Sequence, residues 1–257
     1  MKLLNSIAGL AQLRAIYASP LLSRQESKAP FFLLAGDSTT AIGGGWGDGF
    51  LETTLAPPAA GINYGHSGAT TVSFRAGGDW PTLLSEISSH TSTTSQVYVT
   101  ISFGHNDQKA TANISLARYS SNLSTFISDV RALGAEPILV SSLTRRVFSG
   151  SPPKVVQSLA NEREVVMKLA ESKEVKWVDL NIASEEYCNK IGPQASYGYN
   201  LFNATRQGDT THLNEWGGVV FGRLVSDLLV EKYPEEFEEW TVRNETLSQL
   251  LKDGVAA

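Results

Sequence analysis

Cysteine is almost absent from this chain: Cys188 is the only one in 257 residues, which excludes an intrachain disulfide. A chain of this length can fold without disulfides, because 42% of its residues are hydrophobic and can form a sizeable core. The scarcity therefore does not exclude export from the cell. We expect Cys188 to be a small buried residue.

Long apolar runs and clusters of positive charge are also missing. No stretch beyond residue 30 reaches the roughly 18 apolar residues of a membrane span. Lys and Arg are dispersed and the net charge is −5, which argues against nucleic acid as a partner. Metal-ligand spacings such as His-x-His are absent, and "GGGWG" at 43–47 lacks the Lys-Ser/Thr of a phosphate-binding loop. The sequence predicts no membrane partner, no metal and no cofactor.

The first thirty residues differ in character from the rest. Residues 1–18 have Lys2 near the start, a mostly apolar stretch and then small residues, which is typical of a secretory signal peptide. Arg14 interrupts the apolar stretch, so an amphipathic helix of the mature domain is the alternative. Residues 19–30 are interpreted as a leader or linker, and residues 31–257 as a single domain.

Four Asn-x-Ser/Thr sequons support export, and they lie at Asn113, Asn122, Asn203 and Asn244. The chain is rich in Ser and Thr, so each sequon is weak evidence alone, and the sequence leaves open which of them carry a glycan. We expect a secreted, extracellular glycoprotein that is a monomer.

Apolar segments alternate with helical patterns after residue 30. Buried strands are predicted at 31–36, 59–65, 96–104, 136–143 and 175–181. Helices are predicted at 116–133, 155–172 and 213–230, and the charged C-terminal tail is also expected to be helical. Near-continuous apolar strands separated by helices predict an α/β domain with a parallel sheet covered on both faces.

Polar residues follow these strands, at the end of an α/β sheet where chemistry collects. The four stretches are "GDS" at 36–38, "NYGHSGATT" at 63–71, "GHND" at 104–107 and "GDTTHLN" at 208–214. Each has an ordinary structural alternative. Ser38 or Asp209 could cap a helix, "GHND" could form a turn, and His212 could be a hydrogen-bonded surface residue.

Together the four stretches contain the parts of an ester hydrolase. Ser38 is the candidate nucleophile, His212 the base that takes its proton, and Asp209 the carboxylate that orients the imidazole. The backbone N–H groups of Ser38 and Gly68, with the side-chain amide of Asn106, are candidate donors to an oxyanion.

These stretches resemble, in order, the four blocks of the SGNH (GDSL) hydrolase superfamily, whose letters would correspond to Ser38, Gly68, Asn106 and His212. The resemblance covers most of the chain. It implies a three-layer α/β/α sandwich with a five-stranded, flavodoxin-like parallel sheet. It also implies a carboxylic ester hydrolase that works through a Ser-His-Asp triad, with Asp209 as the third member.

A narrower resemblance rests on "AGDSTT", "GGGWGDGF" and "FGHNDQ", which are similar to the rhamnogalacturonan acetylesterases, a branch of carbohydrate esterases. It implies removal of O-acetyl groups from rhamnogalacturonan in pectin. Two features depart from that branch: its fungal members usually carry disulfides, and Leu213 stands where a polar residue is common. The alternatives are a GDSL-type lipase or short-chain acyl esterase, and a non-catalytic glycan-binding protein on the same fold.

Two further residues have open interpretations. His105 could contact the substrate or only shape the turn that holds it. Trp46 could stack on a sugar or pack on the core.

Overall fold

The computed structural model describes residues 28–91 and 95–257. The predicted signal peptide, 1–18, lies outside the described residues, as does most of the predicted linker. The first strand begins at Ala29, so the last two residues of that linker belong to the domain.

Seven strands are present in the described part of the chain. They are β1 Ala29–Gly36, β2 Ala60–Asn63, β3 Ser95–Ser102, β4 Glu136–Val140, β5 Phe148–Ser149, β6 Lys154–Val155 and β7 Lys176–Val178. Five of them form one parallel sheet in the spatial order β2-β1-β3-β4-β7, and β5 and β6 form a separate antiparallel hairpin. The predicted five-stranded parallel sheet is confirmed, with the flavodoxin-like order 2-1-3-4-5 when only its own strands are counted.

Helices cover both faces of this sheet. They are α1 Gly47–Thr54, α2 Thr71–Ala76, α3 Asp79–His90, α4 Leu116–Ala132, α5 Ala160–Lys173, α6 Leu180–Tyr197, α7 Glu215–Lys232, α8 Pro234–Phe237 and α9 Glu245–Asp253. Alternate residues of β1 point to opposite faces: Phe32 and Leu34 pack with α1, α6 and α7, whereas Leu33 and Ala35 pack with α2 to α5. The three-layer sandwich is therefore confirmed.

Two predicted helix starts were wrong, and the strands predicted at 136–143 and 175–181 end earlier, at Val140 and Val178. The helix predicted at 155–172 begins only at Ala160, because Val155 pairs with Phe148 in the β5–β6 hairpin and both side chains join the core. The helix predicted at 213–230 begins after Asn214, whose side-chain oxygen accepts from Gly217 N–H at 2.8 Å.

Cys188 and Trp46 are both fully buried in the core. The prediction for Cys188 is confirmed, and Trp46 packs on the core, which leaves it no surface for a sugar. Across the described helices, none combines the length and apolar character needed to cross a bilayer.

Candidate active site

The serine of the first stretch lies just past the end of β1. A Cβ on Gly36 would stand 2.9 Å from the Ser102 carbonyl oxygen and would overlap the Thr40 side chain, so only glycine fits beside the neighbouring strand here. Asp37 then fixes the turn, because its Oδ1 accepts from the backbone N–H and the hydroxyl of Thr39 at 2.9 and 2.8 Å. The next helix begins at Gly47, so the capping role considered for Ser38 is wrong.

Ser38, His212 and Asp209 form one line of hydrogen bonds. Ser38 Oγ lies 2.7 Å from His212 Nε2, and His212 Nδ1 lies 2.7 Å from Asp209 Oδ2. A carboxylate only accepts, so Nδ1 carries the ring proton and donates it to Asp209. Nε2 is then an acceptor aimed at the serine hydroxyl. Both ring nitrogens of His212 are engaged with the other two candidate residues, which favours the role of base over that of an ordinary surface histidine.

Asp209 is held by the segment it belongs to. Its Oδ1 accepts from the N–H groups of Thr211 and His212, both at 3.0 Å. Partial burial alone would raise the pKa of Asp209, but these bonds and the bond to the His212 ring outweigh burial and lower it. Asp209 does not cap the last helix, because Asn214 does so, and it stays ionised beside the imidazole.

A buried arginine that the sequence reasoning missed holds the segment carrying His212. Arg146 is fully buried, and it donates from Nε to Asn200 Oδ1 at 2.7 Å and from Nη2 to His212 O at 2.6 Å. Its own N–H donates to Thr210 O at 2.8 Å. Burial lowers the pKa of Arg146 to about 10, so it remains a cation at neutral pH. Nothing local in "SSLTRRVF" shows which carbonyl groups this side chain reaches.

The three predicted oxyanion donors line the same pocket as the serine. Gly68 adopts φ +81°, a left-handed conformation that favours glycine. Within the described residues, the N–H groups of Ser38 and Gly68 donate to no protein acceptor. Asn106 is buried with its amide held at both ends: Nδ2 donates to Ala69 O at 3.0 Å, and Oδ1 accepts from Lys109 Nζ at 2.6 Å. One Nδ2 hydrogen remains for a ligand.

The "GHND" stretch is the turn that its composition suggested, with Gln108 N–H donating to Gly104 O at 3.1 Å. Asp107, which the sequence reasoning did not single out, accepts from the Thr71 N–H and hydroxyl at 3.0 and 2.5 Å. It thereby ties the Asn106 turn to the start of α2, next to Gly68. Burial raises the pKa of Asp107.

His105 is buried and is one of the residues that line the pocket. Its Nε2 donates to Leu143 O, 2.9 Å away. Burial, with the charge of Arg145 adding to it, lowers the pKa of His105 to about 3. The ring is therefore neutral and fixed to the backbone, which favours its role in shaping the turn.

The pocket is a cavity of about 640 Å³, within the roughly 300–1,000 Å³ of small-molecule sites. Three large apolar side chains, Ile42, Leu201 and Phe202, form what we call the apolar rim. Two cations, Lys109 and Arg145, form what we call the cationic wall. Among residues 28–91 and 95–257, no group of three or more His, Cys, Asp or Glu side chains is placed to hold a metal ion.

The chain matches the GDSL-like lipase/acylhydrolase family over residues 34–218, a span that includes all five candidate residues. It belongs to this family. The SGNH resemblance is thereby confirmed, and the protein is an esterase or acylhydrolase of the SGNH type.

Two of the relatives come from Bacillus subtilis. The chain is 28% identical over 213 residues to rhamnogalacturonan acetylesterase RhgT, a match that covers 77% of this chain and 88% of the relative. It is 30% identical over 129 residues to the uncharacterized esterase YxiM, which covers 49% of this chain but only 32% of YxiM.

Solved structures share the fold. The crystal structure of YxiM superposes with a TM-score of 0.69 at 24% identity, and the match covers 84% of this chain and 60% of that one. Axe2, an acetylxylan esterase from Geobacillus stearothermophilus, superposes with a TM-score of 0.53 at 19% identity, over 80% of this chain and 94% of Axe2.

Proposed function

We propose that this protein is a serine esterase that removes O-acetyl groups from a cell-wall polysaccharide, with rhamnogalacturonan as the expected substrate. The observation that carries the proposal is the unbroken line of hydrogen bonds from Asp209 through His212 to Ser38, which ends at a pocket. Every link of that line lies at hydrogen-bond distance with the tautomer that the chemistry requires.

In the first half of the proposed reaction, Ser38 Oγ attacks the acetyl carbonyl carbon while His212 Nε2 takes the hydroxyl proton. A tetrahedral intermediate forms, with its negative oxygen facing the N–H groups of Ser38 and Gly68 and the Asn106 amide. The intermediate collapses, the bond to the sugar oxygen breaks, and His212 returns the proton to that oxygen. The free sugar hydroxyl leaves and Ser38 carries the acetyl group.

In the second half, water attacks the acetyl-serine while His212 takes one of its protons. The new tetrahedral intermediate uses the same donors, then breaks the bond to Ser38 Oγ and releases acetate. Asp209 stabilises the imidazolium that exists between these transfers, because its carboxylate stays bonded to Nδ1. The complete reaction consumes one water molecule and uses no metal and no cofactor.

The proposed oxyanion donors supply a large part of the rate. Loss of one such donor typically costs about 3–4 kcal/mol of transition-state stabilisation. The Asn106 amide suits this role because it is fixed before substrate arrives and its oxygen is bonded to an ammonium. That cation draws electron density from the amide and strengthens its remaining N–H as a donor.

The pocket lining favours a polar substrate over a long acyl chain. Only three of its fifteen lining residues are large and apolar, and they lie beside two cations. A lipase would need a longer apolar groove, and a non-catalytic glycan-binding protein would not need an intact Ser-His-Asp line. The similarity to RhgT, which is named as a rhamnogalacturonan acetylesterase, supports the pectic substrate.

The test is acetate release from acetylated rhamnogalacturonan, acetylated xylan and a long-chain acyl ester, with Ser38→Ala as the control. We expect selective release from the pectic substrate and its loss in the variant. Hydrolysis mainly of the acetylated xylan or of the long-chain ester would contradict the pectin assignment and leave the proposed mechanism intact. Release from none of them by a folded protein would contradict the enzyme proposal on these substrates.

We also propose that the protein is secreted and carries N-glycans. Asn113, Asn203 and Asn244 are exposed, whereas Asn122 is half-buried and its Nδ2 donates to Thr71 Oγ1 at 2.8 Å. A glycan would replace one of the two hydrogens of that nitrogen, at a side chain that is already half-buried and bonded to Thr71. Glycopeptide mass spectrometry of the secreted protein should therefore find Asn122 unmodified, and a glycan there would contradict this reasoning.

A further inference from the structure

Two positive side chains share the pocket with the proposed nucleophile, in a protein whose net charge is −5. We propose that this cationic wall, Lys109 and Arg145, binds a carboxylate of the substrate. The acetyl group removed is then carried on a glycan that contains uronic acid. The inference rests on the proposed esterase function and adds the chemistry by which the site selects its glycan.

Lys109 is exposed, and its ammonium is only partly used by the protein. One bond, 2.6 Å long, runs from Nζ to Asn106 Oδ1. An ammonium has three N–H donors, so two remain for a ligand. No carboxylate of the described residues lies within ion-pair distance of Nζ.

Arg145 is half-buried and bonded to neutral acceptors. Nη1 donates to Ser158 Oγ at 2.9 Å and Nη2 approaches His105 O at 3.5 Å. The Gln108 amide oxygen, when turned toward the guanidinium, accepts from both Nη atoms at 2.8 and 3.1 Å. Burial lowers the pKa of Arg145, and the charges of Asp37 and Glu162 act against that shift without forming an ion pair.

A cation held by neutral groups keeps most of its charge available to a ligand. Burial removes water from the Arg145 guanidinium, and no carboxylate in the described part of the chain is paired with it. Binding of a substrate carboxylate from the pocket side would therefore be favourable. Asp209 is the one carboxylate among the described pocket residues, and it is already bonded to His212. The pocket lining therefore holds two cations and one carboxylate, and Asp37 and Glu162 offset part of the Arg145 charge from outside that lining.

The cationic wall also lies close to the chemistry. Lys109 is bonded directly to the side chain of Asn106, a proposed oxyanion donor. A carboxylate on the acetylated sugar or on the next sugar along the chain can therefore reach the wall. The apolar rim, Ile42, Leu201 and Phe202, supplies a surface for the C–H faces of the same sugars.

The decisive experiment uses one acetylated oligosaccharide containing galacturonate, and the same oligosaccharide after its carboxyl groups have been reduced to alcohols. For the wild-type protein, we expect kcat/KM to be about tenfold or more higher on the acidic form, the value of one hydrogen bond to a charged group. Lys109→Met and Arg145→Met should each reduce that ratio severalfold, and the double variant should bring it close to one.

The ratio isolates recognition from catalysis. Any effect that Lys109 has on the reaction rate through Asn106 is the same for the acidic and the reduced substrate, so it cancels in the ratio of their kcat/KM values. Lys109→Arg keeps the charge and should retain the preference, as should Lys168→Met, which removes an exposed cation from α5 outside the pocket. Added salt should lower the wild-type ratio, because it screens the attraction.

Binding to Ser38→Ala separates this inference from the proposed function. Calorimetry with the acidic and reduced oligosaccharides needs no turnover. Equal affinity for both, or a wild-type kcat/KM ratio near one that the variants leave unchanged, would overturn the carboxylate site while leaving the esterase intact. If the wild-type protein hydrolyses no ester while Ser38→Ala binds the acidic form preferentially, the esterase proposal is refuted and the carboxylate site is kept.

Discussion

The residues of the site come from two regions that are built differently. Ser38, Gly68 and Asn106 follow β1, β2 and β3, three adjacent strands of the sheet, and we call them the strand-end half. Asp209 and His212 lie on the irregular segment between α6 and α7, and we call them the loop half. Ser38 and Asn106 are buried, whereas both loop-half residues are half-buried.

The difference lies in what fixes each half. The sheet itself sets where the strand-end half lies, since parallel strands end together at one edge. The loop half has no such support and depends on cross-links. Arg146 is one, and the bonds from Leu213 N–H to Gly44 O at 2.9 Å and from Leu201 N–H to His212 O at 3.0 Å are others.

The largest expected effect comes from removing the proposed nucleophile in the strand-end half or the proposed base in the loop half. Ser38→Ala and His212→Ala should each lower kcat by about 10⁵–10⁶-fold, and Asp209→Asn by about 10⁴-fold, because these residues act as a unit. The double variant Ser38→Ala/His212→Ala should be no slower than either single one. Steady-state acetate release measures this, and additive losses would show that the halves act independently.

The next effect lies within the strand-end half. Asn106→Ala should lower kcat by about 10²–10³-fold with little change in KM, because the donor acts on the transition state. Lys109→Met should lower kcat on a neutral acetate ester by about tenfold, since it polarises the same amide. In the Asn106→Ala background, Lys109→Met should do nothing further to that rate. A full additional loss in the double variant would show that Lys109 acts on neutral esters by another route.

A smaller effect should come from loosening the loop half alone. Arg146→Met removes the donor to Asn200 Oδ1 and leaves His212 O with only the bond from Leu201 N–H. We expect kcat to fall by about 10–100-fold through misplacement of the imidazole. Arg146→Lys keeps the charge but cannot make both bonds, so its loss should be intermediate. Thermal unfolding serves as the control. Unchanged kcat in a folded Arg146→Met variant would contradict the cross-link account.

This contrast also marks what the sequence could predict. The strand-end half follows from apolar runs that stop at glycine and polar residues, and the base from Asp and His three residues apart. The cross-links by Arg146 and Asp107, and the meeting of Lys109 with Arg145 in one pocket, bring together residues that are distant in the sequence. Residue type alone does not select between the possible acceptors. The start of α5 was mispredicted because Val155 fits the helical spacing of apolar residues, although it is buried as part of the β5–β6 hairpin.

The smallest expected effect is on stability, and its sign differs between Asp37, which precedes Ser38 of the strand-end half, and Asp209 of the loop half. Burial raises the pKa of Asp37 above its usual 3.8, although bonds from Thr39 oppose this, whereas the pKa of Asp209 is lowered. The folded protein thus binds more protons at Asp37 than the unfolded chain above pH 3.8, and stability falls as pH rises there. At Asp209 it binds fewer protons, so that contribution is complete above 3.8 and is lost on acidification.

Urea unfolding between pH 3 and pH 7 tests this contrast. The stability of Asp37→Asn relative to wild type should improve as pH rises above 3.8, because the variant lacks the ionisable group. The deficit of Asp209→Asn should instead shrink as pH falls below 3.8. Parallel pH profiles for the two variants would contradict the opposite pKa directions.

The most direct test of the central claim is covalent labelling of the nucleophile. A fluorophosphonate reacts with a serine that a neighbouring base activates, and peptide mass mapping locates the adduct. We predict one adduct per chain, at Ser38, formed at least about 10³-fold more slowly in His212→Ala because the base is missing. An adduct on another residue, or labelling of Ser38 at an equal rate without His212, would contradict the account.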